Sequence, residues 1–265
     1  HKVLGEVILP GVGFIELARQ ALAGVGGGSF ELSRVVLLEP LVVRDRVVAT
    51  VVLSGDSGRG SFEVRTGDGT APLVHAQGQF ERRDVSGAHH PVLDVDQVKR
   101  RCGARVDTEE LYGRFAQVGI EYEHDYRGIV ELWSSRDEGL ARIALADDSA
   151  APEPMAIHLA LADAAVQAAA GLAWHVGEDP ELRLPFACER LELVAPMERS
   201  MFAHVERTGA SRFDITIHKT DGATCLKLHD VTFRKAQTLS APGRRGHVAE
   251  PAASVALPER FFYVP

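Results

Sequence analysis

Two very apolar helical runs, PGVGFIELARQALA (residues 10–23) and MAIHLALADAAVQAAAGLAWHV (155–176), each stand ahead of a series of strand-patterned segments, and this repetition constrains the fold most. Proline followed by small residues and an apolar-periodic run marks the first helix start, because proline is tolerated in the first turn. The glycine cluster at 24–28 closes that helix. Strand character follows over 30–43, 45–55, 60–68 and 73–83, broken by turn-rich stretches such as GDSGRG, and reads as an antiparallel meander. After the second helix the pattern returns over 184–195, 199–209, 212–222 and 224–236. A helix followed by a run of strands, twice, predicts an α+β fold made of two copies of one unit.

The expected boundaries are a first unit over 1–95, a second over 96–237 and an extended Pro/Gly/Ala-rich linker over 238–265 that leads to a neighbouring domain. Between the halves, the polar stretch 83–97 reads as a linker or long loop, and 106–119 as a short amphipathic piece. Residues 106–155 precede the second helix, whereas almost nothing precedes the first. The chain is therefore expected to continue upstream of His1.

Charge and cysteine usage narrow the function classes. A net charge of −8 and a pI near 5.8 argue against nucleic-acid binding, which calls for a basic stripe, and no apolar run is long enough to span a bilayer. Cys102, Cys188 and Cys225 are odd in number and far apart, which points to buried thiols in a reducing, cytoplasmic setting. Gly11-Val12-Gly13 lacks the third glycine of a dinucleotide loop. His89-His90, His124 and His158 fit no common zinc spacing, and no GxSxG element supports a nucleophilic hydrolase. The arginines of GRRG (243–246) read as solvated linker.

Asp163 stands out among the alanines and leucines of the second helix, because aspartate is a poor interior helix residue and a buried carboxylate is costly. Either it lies on a narrow solvated stripe, or it is buried with Gln167, one turn on, holding its carboxyl. Burial would raise its pKa and let it stay protonated near neutral pH. His1 is by itself either a surface histidine or a group feeding the first helix. Its spacing to Gly5 and Pro10, taken with Asp163, favours the second.

His1, Gly5 and Pro10 match an HxxxGxxxxP motif that continues as PGVGFIELA; His158, Leu161, Asp163, Ala164 and Gln167 match HPALLDAxxQ; GIEYEHDYRGI (119–129) is similar to GxxYGPxFxGL; and LPFACERL carries an LPF element. In these four segments the chain resembles the dehydratase domains of modular polyketide synthases. Departures are Glu123-His124 in place of Gly-Pro, Tyr126 in place of phenylalanine, and Leu159 in place of proline.

The resemblance implies a double hotdog, two antiparallel sheets each wrapping a central helix, with the active site between the halves. It implies a β-hydroxyacyl thioester on the phosphopantetheine arm of an acyl carrier protein, with no metal or organic cofactor. His1 is then the base for the α proton and Asp163 the acid for the departing hydroxyl, with Gln167 orienting it; a single histidine serving both steps is a variant. Backbone N–H groups near Val12 and Gly13 would meet the thioester oxygen. Tyr122 either hydrogen-bonds the substrate hydroxyl or is a packed strand tyrosine. Gly5 and Pro10 belong to the same expected substrate-binding set. Other domains of the synthase and a second copy of the chain are the remaining expected partners. Three readings stay open: a dehydratase, a related cyclase or double-bond isomerase suggested by Glu123-His124, and a non-catalytic carrier-docking module.

Overall fold

The computed structural model describes residues 1–26, 29–44, 46–67, 71–83, 90–146, 156–175 and 181–236. The expected linker over 238–265 and part of the stretch 83–97 lie outside them. The chain opens with a small hairpin, β1 (Lys2–Val3) and β2 (Glu6–Val7), whose Lys2↔Val7 and Val3↔Glu6 pairs leave a two-residue turn. Leu4 and Gly5 hold φ at 51° and 82°, the left-handed pair that a tight hairpin turn needs and that glycine supplies at no steric cost.

Helix α1 (Gly11–Gly26) starts directly after Pro10 and buries Phe14, Leu17, Ala18, Ala21 and Leu22 at helical spacing. Strands β3 (Ser29–Leu37), β4 (Thr50–Gly55), β5 (Arg59–Thr66) and β6 (Leu73–Arg83) follow. The strand expected over 30–43 is interrupted. Pro40 cannot donate to a ladder, so β3 ends at Leu37, and the chain turns to pair with the segment before α1 through Leu9 N–H to Leu41 O (3.0 Å) and Val43 N–H to Val7 O (2.8 Å). Nor are the four strands a simple meander: β3 pairs with β6, leaving β4 at the outer edge.

The second half begins with α2 (Val95–Cys102), β7 (Ala104–Val106), α3 (Thr108–Gln117), β8 (Ile120–Glu121), a 3₁₀ turn at His124–Tyr126, β9 (Ile129–Ser134) and β10 (Glu138–Ala144). Helix α2 falls partly on the stretch expected to be a linker. Asp94 caps it by accepting from Gln97 N–H at 2.9 Å, Lys99, Arg100 and Arg101 sit in its last turn, and Val98 and Cys102 are its only buried residues. Only eight residues long and polar overall, the helix is hard to tell from a loop in the sequence.

Helix α4 (Leu159–His175) starts later than expected, with the His158 carbonyl accepting from Ala162 N–H at 2.9 Å. Strands β11 (Arg183–Leu193), β12 (Ser200–Gly209) and β14 (Thr224–Lys235) match the sequence reading to within two residues, whereas β13 (Arg212–His218) ends four residues short of 222, where Gly222 N–H bonds back to the Lys219 carbonyl in a turn. All large strands join one antiparallel sheet ordered β4-β5-β6-β3-β11-β14-β13-β12-β10-β9-β7. Outward from the β3–β11 seam, β3-β6-β5-β4 and β11-β14-β13-β12 repeat the same connectivity, which is the double hotdog. Helix α1 packs on β3, β4 and β5, α4 on β9, β10, β12 and β13, and the two helices touch each other. The alanines of α4 make this embrace close: Ala162, Ala164, Ala165, Ala168 and Ala169 are fully buried.

Candidate active site

The small sheet positions His1. Strand β1 pairs with β8 through Lys2↔Glu121 and Val3↔Ile120, and this sets the His1 ring beside the segment just after β8, 5.3 Å from the Tyr122 ring and 5.8 Å, edge-on, from that of Tyr126. Across from it, α4 presents Asp163. His1 Nδ1 lies 3.7 Å from Asp163 Oδ2, with side chains only 6% and 9% exposed. That separation is beyond hydrogen-bond reach, and Nδ1 makes no hydrogen bond among the described residues, so the two groups act on one another through charge alone. The two halves of the fold each supply one member of the pair.

Burial pushes the Asp163 carboxyl up from 3.8 to about 6, with the Gln167 hydrogen bond opposing part of the rise. Of the two placements open from sequence, Asp163 takes the buried one. Gln167 Nε2 donates to Asp163 Oδ2 at 2.8 Å and to the Tyr126 carbonyl at 3.0 Å, while its Oε1 accepts from the Tyr112 hydroxyl at 3.1 Å. Tyr112 in turn accepts from Ile129 N–H at 3.0 Å. Tyr112 escaped the sequence reading because it sits on the apolar face of α3 between Leu111 and Phe115, where a tyrosine passes for core. The available signal was its hydroxyl, which needs a partner once buried. Tyr122 packs edge-on against Phe115 and Tyr112, and burial raises its phenol well above the usual range.

A narrow cleft runs from Asp163 over the β3–β11 seam. The N-terminal turn of α1 lines it with Gly11 and Val12, β3 with Val35, and β11 with Pro185 of the LPF element and Cys188. At Gly11 a Cβ would fall 2.6 Å from Leu37 Cδ1, the end of a half-buried side chain that would have to turn aside. The N–H of Val12, in the first helical turn, has no partner within the helix by position. The other glycines and the proline of the first motif lie elsewhere. Gly13 donates its N–H to the Pro10 carbonyl at 2.8 Å and abuts Leu9, Pro10 is buried ahead of the helix, and Gly5 serves the hairpin turn; none of the three lines the cleft.

The residues that depart from the motif also have defined places. Glu123 forms an ion pair with Lys2 at 2.6 Å on the surface, tying β1 to the segment after β8. His124 is 76% exposed and faces Asp125. Neither lines the cleft. Tyr126 meets His1 with its ring and Gln167 with its carbonyl. His158 stands at the start of α4, its imidazole lowered to about 4 by burial and, secondarily, by the charge of Arg199. Among the described residues no three His, Cys, Asp or Glu side chains are grouped to hold a metal, and no helix is long and apolar enough to cross a membrane.

Comparison with known proteins supplies the family. Residues 1–67 match the family described as "Polyketide synthase dehydratase domain" and residues 90–242 the one described as "Polyketide synthase dehydratase N-terminal domain". Polyketide synthase PksN of Bacillus subtilis is 28% identical over 89% of the chain, and mycoketide-CoA synthase of Mycobacterium tuberculosis 30% identical over 96%. The chain spans only 5% and 6% of the length of these relatives. Among solved structures, the dehydratase domain of RzxB from Pseudomonas fluorescens superposes with a TM-score of 0.77 at 27% identity, covering 88% of both chains. The dehydratase domain from the CurK module of curacin polyketide synthase reaches 0.82 at 22% identity over 91% of this chain and 88% of its own, a likeness of fold. With matches across both halves, the chain belongs to the polyketide synthase dehydratase domain family.

Proposed function

We propose that this chain removes water from a β-hydroxyacyl thioester, presented on the phosphopantetheine arm of an acyl carrier protein, to give the α,β-unsaturated thioester. The observation that carries the reading is the approach of His1 and Asp163 to 3.7 Å in a buried spot at the cleft, each from a different half of the fold. Elimination needs a base for the α carbon and an acid for the β oxygen, both sheltered from bulk water. His1, through the nitrogen not turned toward Asp163, takes the α proton. Its electron pair forms the new C=C bond as the β C–O bond breaks, and Asp163 delivers its proton to the departing hydroxyl, which leaves as water. Return of the proton from His1 to Asp163, directly or through solvent, resets the site.

Charge that develops on the thioester oxygen meets the Val12 N–H, at a helix N-terminus where the dipole favours negative charge. Tyr122 walls the His1 side of the site. The thioester already acidifies the α carbon, so the elimination calls for no metal or organic cofactor. Apart from Asp163 and Cys188 the cleft is apolar, which suits an acyl chain. The test is to incubate the chain with short β-hydroxyacyl-pantetheine thioesters and read products by mass spectrometry. Loss of water supports the reading, and no turnover by folded protein overturns it. A substrate with a more distant hydroxyl reports in the same run whether ring closure follows elimination.

A further inference from the structure

We infer that Tyr112 is a positioning residue that decides which oxygen of Asp163 carries the acidic proton, an inference that rests on the acid role given to Asp163 above. A count of donors leads to it. The Ile129 backbone N–H, 3.0 Å from the Tyr112 oxygen, can only donate, so the phenol oxygen accepts there. Its own hydrogen then goes to Gln167 Oε1 at 3.1 Å. At the other end of the amide the Tyr126 carbonyl can only accept, and it takes one hydrogen of Gln167 Nε2 at 3.0 Å.

The amide is thus held from both ends in a single orientation, and its second N–H is delivered to Asp163 Oδ2 at 2.8 Å. In a neutral carboxyl the oxygen without hydrogen is the better acceptor. The proton of Asp163 therefore sits on Oδ1, where it is not spent on Gln167 and is left for the cleft that Asp163 lines.

Removing the Tyr112 hydroxyl leaves Oε1 and the Ile129 N–H without their partner in a buried place, and the amide gains freedom to turn its carbonyl toward Asp163. A carbonyl there draws the carboxyl proton to itself and no longer supports the ionised form. Asp163 then titrates higher and donates worse. Other groups around the carboxyl stay in place under this change: His1, Tyr122 and Tyr126 on its own side, Cys188 across the cleft, and Arg127, which lies over the Tyr112 ring at 4.5 Å and pairs with Glu109.

The experiment compares wild type, Tyr112→Phe, Gln167→Leu and the double variant. It follows the Asp163 side-chain carboxyl by carbon-13 NMR titration, assigned with Asp163→Asn, alongside dehydration of a β-hydroxyacyl-pantetheine thioester. Tyr112→Phe is expected to raise the Asp163 midpoint by about one pH unit, the scale of one hydrogen bond to a charged group, and to slow turnover about tenfold. In the Gln167→Leu background the added Tyr112→Phe moves neither quantity, because Tyr112 acts only through Gln167. An unmoved midpoint in Tyr112→Phe, or a further movement in the double variant, overturns the inference.

Should Tyr112→Phe not fold, wild type alone gives a second readout. The Tyr112 hydroxyl proton must exchange slowly and show a nuclear Overhauser contact to the Ile129 amide; a rapidly exchanging hydroxyl overturns the inference. A midpoint that moves as expected in a chain that turns over no thioester sinks the dehydratase reading while supporting the control of Asp163 by Tyr112.

Discussion

Replacing Asp163 by asparagine should stabilise the fold at neutral pH while abolishing the proposed chemistry. A carboxyl whose pKa climbs from 3.8 to about 6 on burial costs about 3 kcal/mol to ionise in the folded state relative to the unfolded chain, at 1.36 kcal/mol per pH unit. The sign follows from proton counts. Between these two values the folded chain binds more protons than the unfolded one, so stability falls as pH rises from about 4 to about 6 and the full cost is present above that. Asparagine keeps an oxygen to accept from Gln167 and never ionises. Urea unfolding of both proteins, followed by circular dichroism, should therefore show Asp163→Asn more stable by about 3 kcal/mol at pH 8, narrowing to about 1 kcal/mol at pH 4.5. Taking the difference between the two proteins cancels the titrating groups that do not sense the Asp163 charge; His1, beside it, is the one that does so near neutral pH. A gap of the same size at both pH values, or a less stable variant at pH 8, would refute the claim that burial holds this carboxyl up.

Three further outcomes follow from the same contacts. Gly11→Ala should change stability by less than about 1 kcal/mol in urea titration, because the atom its Cβ meets at 2.6 Å is Leu37 Cδ1, the end of a half-buried side chain that can change rotamer. Glu123→Ala should change stability by less than about 1 kcal/mol, since the ion pair with Lys2 is largely solvated, and mass spectrometry should show an unaltered product because Glu123 does not line the cleft. Cys188, pushed up to about 12 by burial, should resist iodoacetamide at pH 8 in folded protein and react once unfolded, as intact-mass measurement would show.

Much of this architecture was legible in the sequence because its strongest signals are local. Pro10 ahead of a periodic apolar run gave the start of α1, and the strands of the second half alternate cleanly enough that β11, β12 and β14 fall within two residues of their expected bounds. The pairing of β3 with β6 and with β11 was not legible, since strand order depends on contacts far apart in sequence. Helix α2 hid because it is short and polar: eight residues, capped at Asp94 and basic at its end, inside a stretch whose composition reads as loop.

The candidate site divides in the same way. Asp163 announced itself as a charge amid alanines, and Gln167 by its spacing of one turn. Tyr112 did not, because only the fold brings the α3 hydroxyl to the Gln167 amide. Gly5, Pro10 and Gly13 share a motif with His1, yet they shape the backbone that carries it and do not border the cleft.

The central claim is that His1 and Asp163 each handle one proton of a single elimination. It is tested most directly by single-turnover dehydration of a carrier-bound β-hydroxyacyl thioester by wild type, His1→Ala and Asp163→Asn, each confirmed folded by circular dichroism. Loss of general acid or base catalysis should slow water loss by about 10²–10⁴-fold in either variant. Wild-type rates in either one would contradict the assignment.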